Sequence, residues 1–376
     1  MGRRRIAIAC QGGGSQCAFV AGALKTLISH EVHERFEIVG LSGTSGGALT
    51  AALAWNGLLK HEHEHGNGNG NGRAIEDRIV ACWRDLAAQT PFEQLFDSSC
   101  VQLMRLIDSG AMPSIAMSPS SPIFQMFARL TAAAIGRPEF TDLRALLIKH
   151  LDFDAMSLMT LPESPVLLVA AADVLEGSFK IFSSMNGEIQ VESLLASAAI
   201  PSLFPAVTVD GHSYWDGIFS SNPPVTAFLR REYMGDHAMP QEIWIVQVNP
   251  TKIESVPELA CDVSSRQNQM AGNLSLHHEL EMIDIVNLLI RDDALTERFR
   301  TQLHFDVTEP IVVRFIRMSE ALLQGLDYPS KLSRQPGLIS RLIADGEVQA
   351  SRFLAELEEA VPLPYPAEAT AQLELH

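Results

Sequence analysis

The sequence predicts an α/β fold, a three-layer sandwich in which a mostly parallel central sheet is covered by helices on both faces. Three observations carry this expectation. Apolar, β-branched runs alternate along the chain with segments of helical periodicity, the order that βα units require. Two of the strand-to-helix junctions are built from small residues, Gln11-Gly12-Gly13-Gly14-Ser15 and Gly43-Thr44-Ser45-Gly46-Gly47. Finally, 376 residues with a hydrophobic fraction of 47% suit one large domain with insertions.

Ile6 to Cys10 reads as a buried first strand, and Gln16 to Ser29 places Phe19, Ala21, Leu24, Leu27 and Ile28 at helical spacing. Phe36 to Gly40 is the second strand, and the small-residue run Ala48 to Leu59 the helix after it. The tract from Lys60 to Gly72, alternating His/Glu and then Gly/Asn, has nothing to bury and reads as a flexible surface loop. Its His61, His63 and His65 are close in sequence, but an extended segment alternates its side chains and fixes no closed metal geometry. Arg73 to Gln89 resumes helical periodicity. Residues 90–150, rich in Met, Ser and Pro, read as a helical insertion whose Met104, Met112, Met117 and Met126 suit the mouth of an apolar cleft. Pro165 to Val174 and Ser178 to Ser184 are strands turning at Glu176-Gly177, and Glu192 to Ala199 is a short helix stopped by Pro201. A strand at Ile243 to Val248, a helical region from about Ser264 to Thr301, a strand at Ile311 to Ile316 and an amphipathic helix from Gly337 to Ala360 complete the chain.

A formal charge of −17 argues against nucleic acid, which needs a basic face, and against electrostatic docking on anionic lipid. The basic start Met1-Gly2-Arg3-Arg4-Arg5 lacks an adequate apolar continuation for a signal peptide, and no stretch reaches bilayer-spanning length. These features predict a soluble, cytoplasmic protein. Five widely spaced cysteines fit reduced thiols and neither a disulfide framework nor a zinc site.

The chemistry sits at the two small-residue junctions. Gly43-Thr44-Ser45-Gly46-Gly47 has the G-x-S-x-G spacing of a nucleophile elbow, in which a sharp strand-to-helix turn exposes the central serine. At Gly12 to Gly14, backbone N–H groups beside a helix start make an anion site, for a phosphate or for the oxyanion of an acyl transfer. A dinucleotide fingerprint would want glycine where Cys17 stands, and a Walker loop would want Gly-Lys-Ser/Thr, so the oxyanion reading stays in front. A serine nucleophile also needs a base. His237, His277, His278 and His304 lie late enough for a Ser-acid-His order, but none sits in a compelling loop, and Ser45 follows only the second strand. The simpler alternative is Asp216, before Gly217 at the end of a strand-like segment, with its carboxyl raised by partial desolvation so that it accepts the serine proton directly.

Four features in order resemble the patatin-like phospholipases, or patatin-like acyl hydrolases. They are Gly12-Gly13-Gly14 after the first strand, Gly43-Thr44-Ser45-Gly46-Gly47, the segment Ala196-Ser197-Ala198-Ala199-Ile200-Pro201-Ser202-Leu203-Phe204-Pro205, and Asp216-Gly217 followed by Asn222-Pro223. The resemblance implies a Ser45–Asp216 dyad, an oxyanion hole at Gly12, Gly13 and Gly14, a lipid or other apolar ester as substrate, and no metal or organic cofactor. It also implies a catalytic α/β domain over 1–250, a C-terminal part over 251–376 that completes the sheet and adds a helical extension, and peripheral contact with membranes. Two departures stand out. Gln16 and Cys17 replace the family's usual basic residue and glycine, and Ile218 follows Asp216-Gly217 where glycine or alanine is usual. They motivate a rival reading as a non-catalytic lipid-binding protein. The C-terminal part resembles a bacterial branch associated in some members with polyhydroxyalkanoate turnover, which makes a hydroxyalkanoate polyester a rival substrate.

Overall fold

Strands β1 (Arg4–Cys10) and β2 (Phe36–Gly43) form the centre of one mixed sheet because their inner halves are apolar or small on both faces. The other strands are β3 (Val166–Asp173), β4 (Phe179–Ser183), β5 (Val207–Val209), β6 (His212–Asp216), β7 (Glu242–Gln247) and β8 (Val312–Arg317). Their order is β5-β6-β3-β2-β1-β7-β8, with β4 also on β3. The run β3-β2-β1-β7-β8 is parallel, whereas β4, β5 and β6 join antiparallel. The computed structural model of the chain describes residues 3–29, 32–65, 73–113, 118–201, 203–303 and 308–359.

Alternation along the strands splits the core into two halves. Ile6, Ile8, Trp244 and Val246 point into one apolar layer, with Phe19 and Leu24 of helix Ala18–Ser29, Trp55 of helix Gly46–His65 and Leu342 of helix Pro336–Glu359. Ala7, Ala9, Ile243 and Ile245 point the other way, against Phe228 and against Leu276, Leu280 and Ile283 of helix Ala260–Arg291. The result is the helix–sheet–helix sandwich expected from the alternating elements. The C-terminal segment belongs to both layers: β8 extends the parallel run, and the Pro336–Glu359 helix crosses the first helix backbone to backbone. A Cβ on Gly22 would stand 1.9 Å from Ile343 O, and one on Gly346 would stand 2.1 Å from Phe19 O, so only glycine permits that crossing.

One pairing positions the rest of the site. β3 pairs with β2 through Val166–Val169 and with β6 through Ala171–Asp173, so β6 enters the ladder just past the end of β2. Its last residue, Asp216, is thereby brought to the junction that follows β2. The close fit continues at Gly217, where a Cβ would lie 2.3 Å from Ala170 O and 2.9 Å from Thr44 Cγ2.

Some sequence expectations shift. The helix predicted over Ala48 to Leu59 runs over Gly46–His65, so the His/Glu half of the low-complexity tract is helical in backbone, with no glycine between Leu58 and Gly66 to stop it. Residues 66–72 lie outside the described residues. The helical region from Ser264 to Thr301 is two helices, Ala260–Arg291 and Glu297–Leu303, parted where Asp293 takes a left-handed φ of 49°. The 90–150 insertion is helical: Pro91–Asp108, opened by a Thr90/Glu93 capping box, then Pro122–Ile135, Pro138–Thr141 and Leu143–His150. Three-residue β5 was not anticipated, being too short to show a period. Among the described residues, no helix is long and apolar enough to cross a bilayer.

Candidate active site

The turn after β2 is tight because its neighbours leave no room. The Gly47 and Ala48 N–H groups both donate to Thr44 O, at 2.9 and 3.2 Å, closing the turn that starts the Gly46–His65 helix. A Cβ on Gly47 would lie 2.4 Å from Cys10 O, so the helix can approach the end of β1 only through glycine. Ser45, at the apex, takes φ 55°, a left-handed conformation that costs a non-glycine residue energy and persists only when its surroundings enforce it. Those surroundings include two side-chain bonds. The Ser45 N–H donates to Ser197 Oγ at 3.0 Å, and Thr44 Oγ1 donates to Ser221 O at 2.6 Å.

Asp216 reaches the same junction from β6, where it pairs with Ala171 and donates its N–H to Ala199 O at 3.0 Å. Its carboxyl is fully buried. Oδ1 accepts the Ile218 N–H at 2.8 Å, while Oδ2 is buried with no hydrogen-bond partner. Burial pushes the carboxyl up to about 7, against the opposing pull of the Ile218 N–H and the Ser45 hydroxyl. The serine is thus near enough to favour the carboxylate, although no hydrogen bond between the two is closed. Ile218 serves Asp216 through its backbone and has no positive φ, so this position makes no demand for glycine.

The glycine loop completes the junction. A Cβ on Gly12 would stand 2.6 Å from Thr44 O and 3.1 Å from Ser45 Cβ, so loop and elbow touch. The three glycines are not equivalent. The Gly12 N–H already donates to Asn222 Oδ1 at 2.6 Å and the Gly13 N–H faces the Cys17 sulfur, whereas no oxygen acceptor engages the Gly13 or Gly14 N–H among the described residues. Of the three glycines named from the sequence, Gly12 thus has its N–H engaged by a side-chain oxygen, that of Asn222. Gln11 anchors the loop from below: its Oε1 accepts the Val248 and Asn249 N–H groups, and its Nε2 donates to Gly272 O and Asn273 Oδ1. Cys17 is buried beside the loop, its thiol pushed up to about 12 by burial, and so is neutral.

An apolar groove of about 650 Å³ opens two residues beyond Asp216, lined by Ile218, Phe219, Phe179, Ile181, Leu274 and Met282. Of the methionines picked out from the insertion, Met104, Met112 and Met126 do not line it. Met112 and Met126 are exposed elsewhere, and Met117 lies outside the described residues. Both His237 nitrogens meet backbone carbonyls, of Met234 and Ser164; His277 and His278 sit on the Ala260–Arg291 helix, and His304 lies outside the described residues. No described histidine is hydrogen-bonded to Ser45 or Asp216.

The sequence model of the patatin-like phospholipase family matches residues 8–229, more than half of the chain, and those residues hold the elbow, the glycine loop and Asp216. The chain belongs to the patatin-like phospholipase family. Membership places it among lipid hydrolases. Two solved structures are similar at low identity. VipD from Legionella pneumophila is 13% identical over 94% of this chain and 67% of its own, with a TM-score of 0.37. The heterodimeric ExoU–SpcU complex from the type III secretion system of Pseudomonas aeruginosa gives 14% identity over 95% of this chain, a TM-score of 0.29, and coverage of only 60% of the matched chain. No curated protein sequence matches. Ser197, Asn222 and Gln11 emerge as supports that sequence reading did not assign, although Ser197 and Asn222 lie inside the quoted motifs.

Proposed function

We propose that the chain is a serine acyl hydrolase that cleaves carboxylic ester bonds of lipids through a Ser45–Asp216 dyad. The observation that carries this reading is the meeting, at one junction, of a strained serine, a buried carboxyl with one unpartnered oxygen, and two glycine N–H groups that no oxygen acceptor engages. Ser45 Oγ attacks the ester carbonyl carbon as its proton passes to Asp216, and the carbonyl π electrons move onto oxygen. The Gly13 and Gly14 N–H groups receive that oxyanion, and Gly12 supplies the close approach that brings them to Ser45. Collapse expels the alcohol, which takes the proton from Asp216, and leaves an acyl-serine. Water then attacks the acyl carbon, its proton passing to Asp216 and on to Ser45 Oγ as the fatty acid departs.

A carboxyl raised to about 7 is suited to this exchange, since the ideal shuttle titrates near working pH. The apolar groove beside Ile218 suits an acyl chain or another unbranched apolar segment. The test is hydrolysis of a short p-nitrophenyl ester together with labelling by a fluorophosphonate probe. Ser45→Ala and Asp216→Asn are each expected to abolish turnover in folded protein, and labelling is expected at Ser45 alone. Full turnover in either variant rejects the dyad, and a folded wild-type chain that neither hydrolyses nor labels favours the non-catalytic lipid-binding reading.

A further inference from the structure

The family's basic residue is missing from the glycine loop, where Gln16 stands in its place. Gln16 is nevertheless engaged: its Nε2 donates to Ser330 Oγ at 2.9 Å and pins a distant segment against the loop. That segment includes the 3-10 turn Pro329–Lys331, and it packs so closely that a Cβ on Gly14 would lie 2.3 Å from Lys331 O. Lys331 is buried, and its ammonium turns inward. Nζ donates to Asn249 Oδ1 at 2.6 Å and to Asn268 Oδ1 at 2.5 Å, and the Asn249 amide in turn reaches Gly12 O at 3.4 Å. Among the described residues no carboxylate pairs with this cation, and its electrostatic neighbour in the loop is the neutral Cys17 thiol.

We propose that Lys331 is a positioning residue for the hydrolysis, its buried ammonium supplying from behind the glycine loop the positive charge that position 16 does not. An unpaired buried cation is expensive to fold, because its hydration is lost and no counter-charge replaces it. The expense has a use if a negative charge appears nearby only in the transition state, since a fixed charge in a dry site then stabilises that state without reorganising. The oxyanion at Gly13 and Gly14 is such a charge. Lys331 lies a hundred residues beyond the family match at 8–229, so the C-terminal segment completes the site electrostatically as well as the sheet. Through Asn249 the same ammonium also fixes the Gly12 carbonyl, and with it the direction of the loop.

The inference rests on the acyl-hydrolase reading, and the experiment separates the two. Steady-state hydrolysis of the p-nitrophenyl ester is measured for the full-length wild type, Ser45→Ala, Lys331→Met and Asn268→Asp, each checked for folding by circular dichroism and thermal melting. Asn268→Asp keeps the hydrogen bond to Nζ but places a counter-charge on it. Both Lys331→Met and Asn268→Asp are expected to lower kcat about tenfold or more with KM within about twofold, a smaller loss than removing a direct oxyanion donor. A trifluoromethyl ketone that forms a tetrahedral adduct should lose affinity by the same factor. A purely structural role would leave kcat intact in the folded protein, or would raise KM along with lowering kcat, and either result overturns the proposal. If Lys331→Met fails to fold, Asn268→Asp decides alone: an unchanged kcat overturns the proposal, and a lowered one supports it. Failure of Ser45→Ala to abolish turnover would instead count against the dyad, whatever Lys331 does.

Discussion

Asn222 holds the glycine loop in one hand and the helix Ala260–Arg291 in the other. Its Oδ1 accepts the Gly12 N–H at 2.6 Å, and its Nδ2 donates to Gly272 O at 2.9 Å. Gly272 belongs to the Ala260–Arg291 helix, which also receives Gln11, so β1, the segment after Asp216 and that helix meet at one fully buried amide. This contact fixes which loop N–H groups remain for chemistry.

Asn222→Ala should therefore damage both stability and rate. Leaving the buried Gly12 N–H without a partner is expected to cost about 1–3 kcal/mol, while Gly272 O keeps Gln11 Nε2 as its donor. The loosened loop should lower kcat about tenfold or more, in keeping with the sensitivity of oxyanion sites to small misplacements. Urea denaturation and steady-state kinetics on the same preparation measure the two effects.

The Asp216 carboxyl sets an acid limb. As a base it acts in its charged form, which becomes abundant above its pKa of about 7. The logarithm of kcat/KM should rise with unit slope as pH approaches about 7 and level off above it, since this profile reports the free enzyme. Asp216→Asn has no residual limb to show. A wild-type profile that is flat from about pH 5 to pH 8 contradicts the assignment.

The same group predicts an exchange of stability against activity. Its folded pKa of about 7 lies above the unfolded value of about 3.9, so the folded chain keeps a proton that the unfolded chain gives up. Its contribution is fully present below about pH 4 and is lost as pH rises towards about 7. Asp216→Asn, which carries no charge to bury, should then be more stable than wild type at pH 8, by up to about 4 kcal/mol for a shift of about three units. The difference should close near pH 4. Thermal or chemical denaturation of both proteins across this range tests it, and a less stable Asp216→Asn at pH 8 would show that burial is not what raises the carboxyl.

Much of the site was legible because the constraints there are local. Only glycine allows backbone to pass as close as Gly47 does to Cys10 O, and a strand-to-helix turn around Ser45 writes itself as G-x-S-x-G, so the elbow and the glycine loop are visible as residue types. Asp216 was legible for a similar reason, standing before a glycine at the end of a strand-like run. Alternation of apolar runs with helical periods likewise reveals a parallel sheet under two helical layers, since each period follows from a single residue's geometry.

Long-range partnership is not written that way. Nothing near Gly12 says that its N–H is taken by an amide 210 positions later, or that Ser45 leans on Ser197. Nothing near Gln16 says that the loop's positive charge arrives on Lys331. The entry of β6 beside β3, just past the end of β2, brings Asp216 to Ser45, and it depends on where one strand stops and another has room to pair. The sequence by itself determined most of the elements, the candidate nucleophile and the candidate base. The tertiary structure decided which donors are free, how the carboxyl is desolvated and where the cation sits, because each depends on what fills the remaining space around a buried polar group.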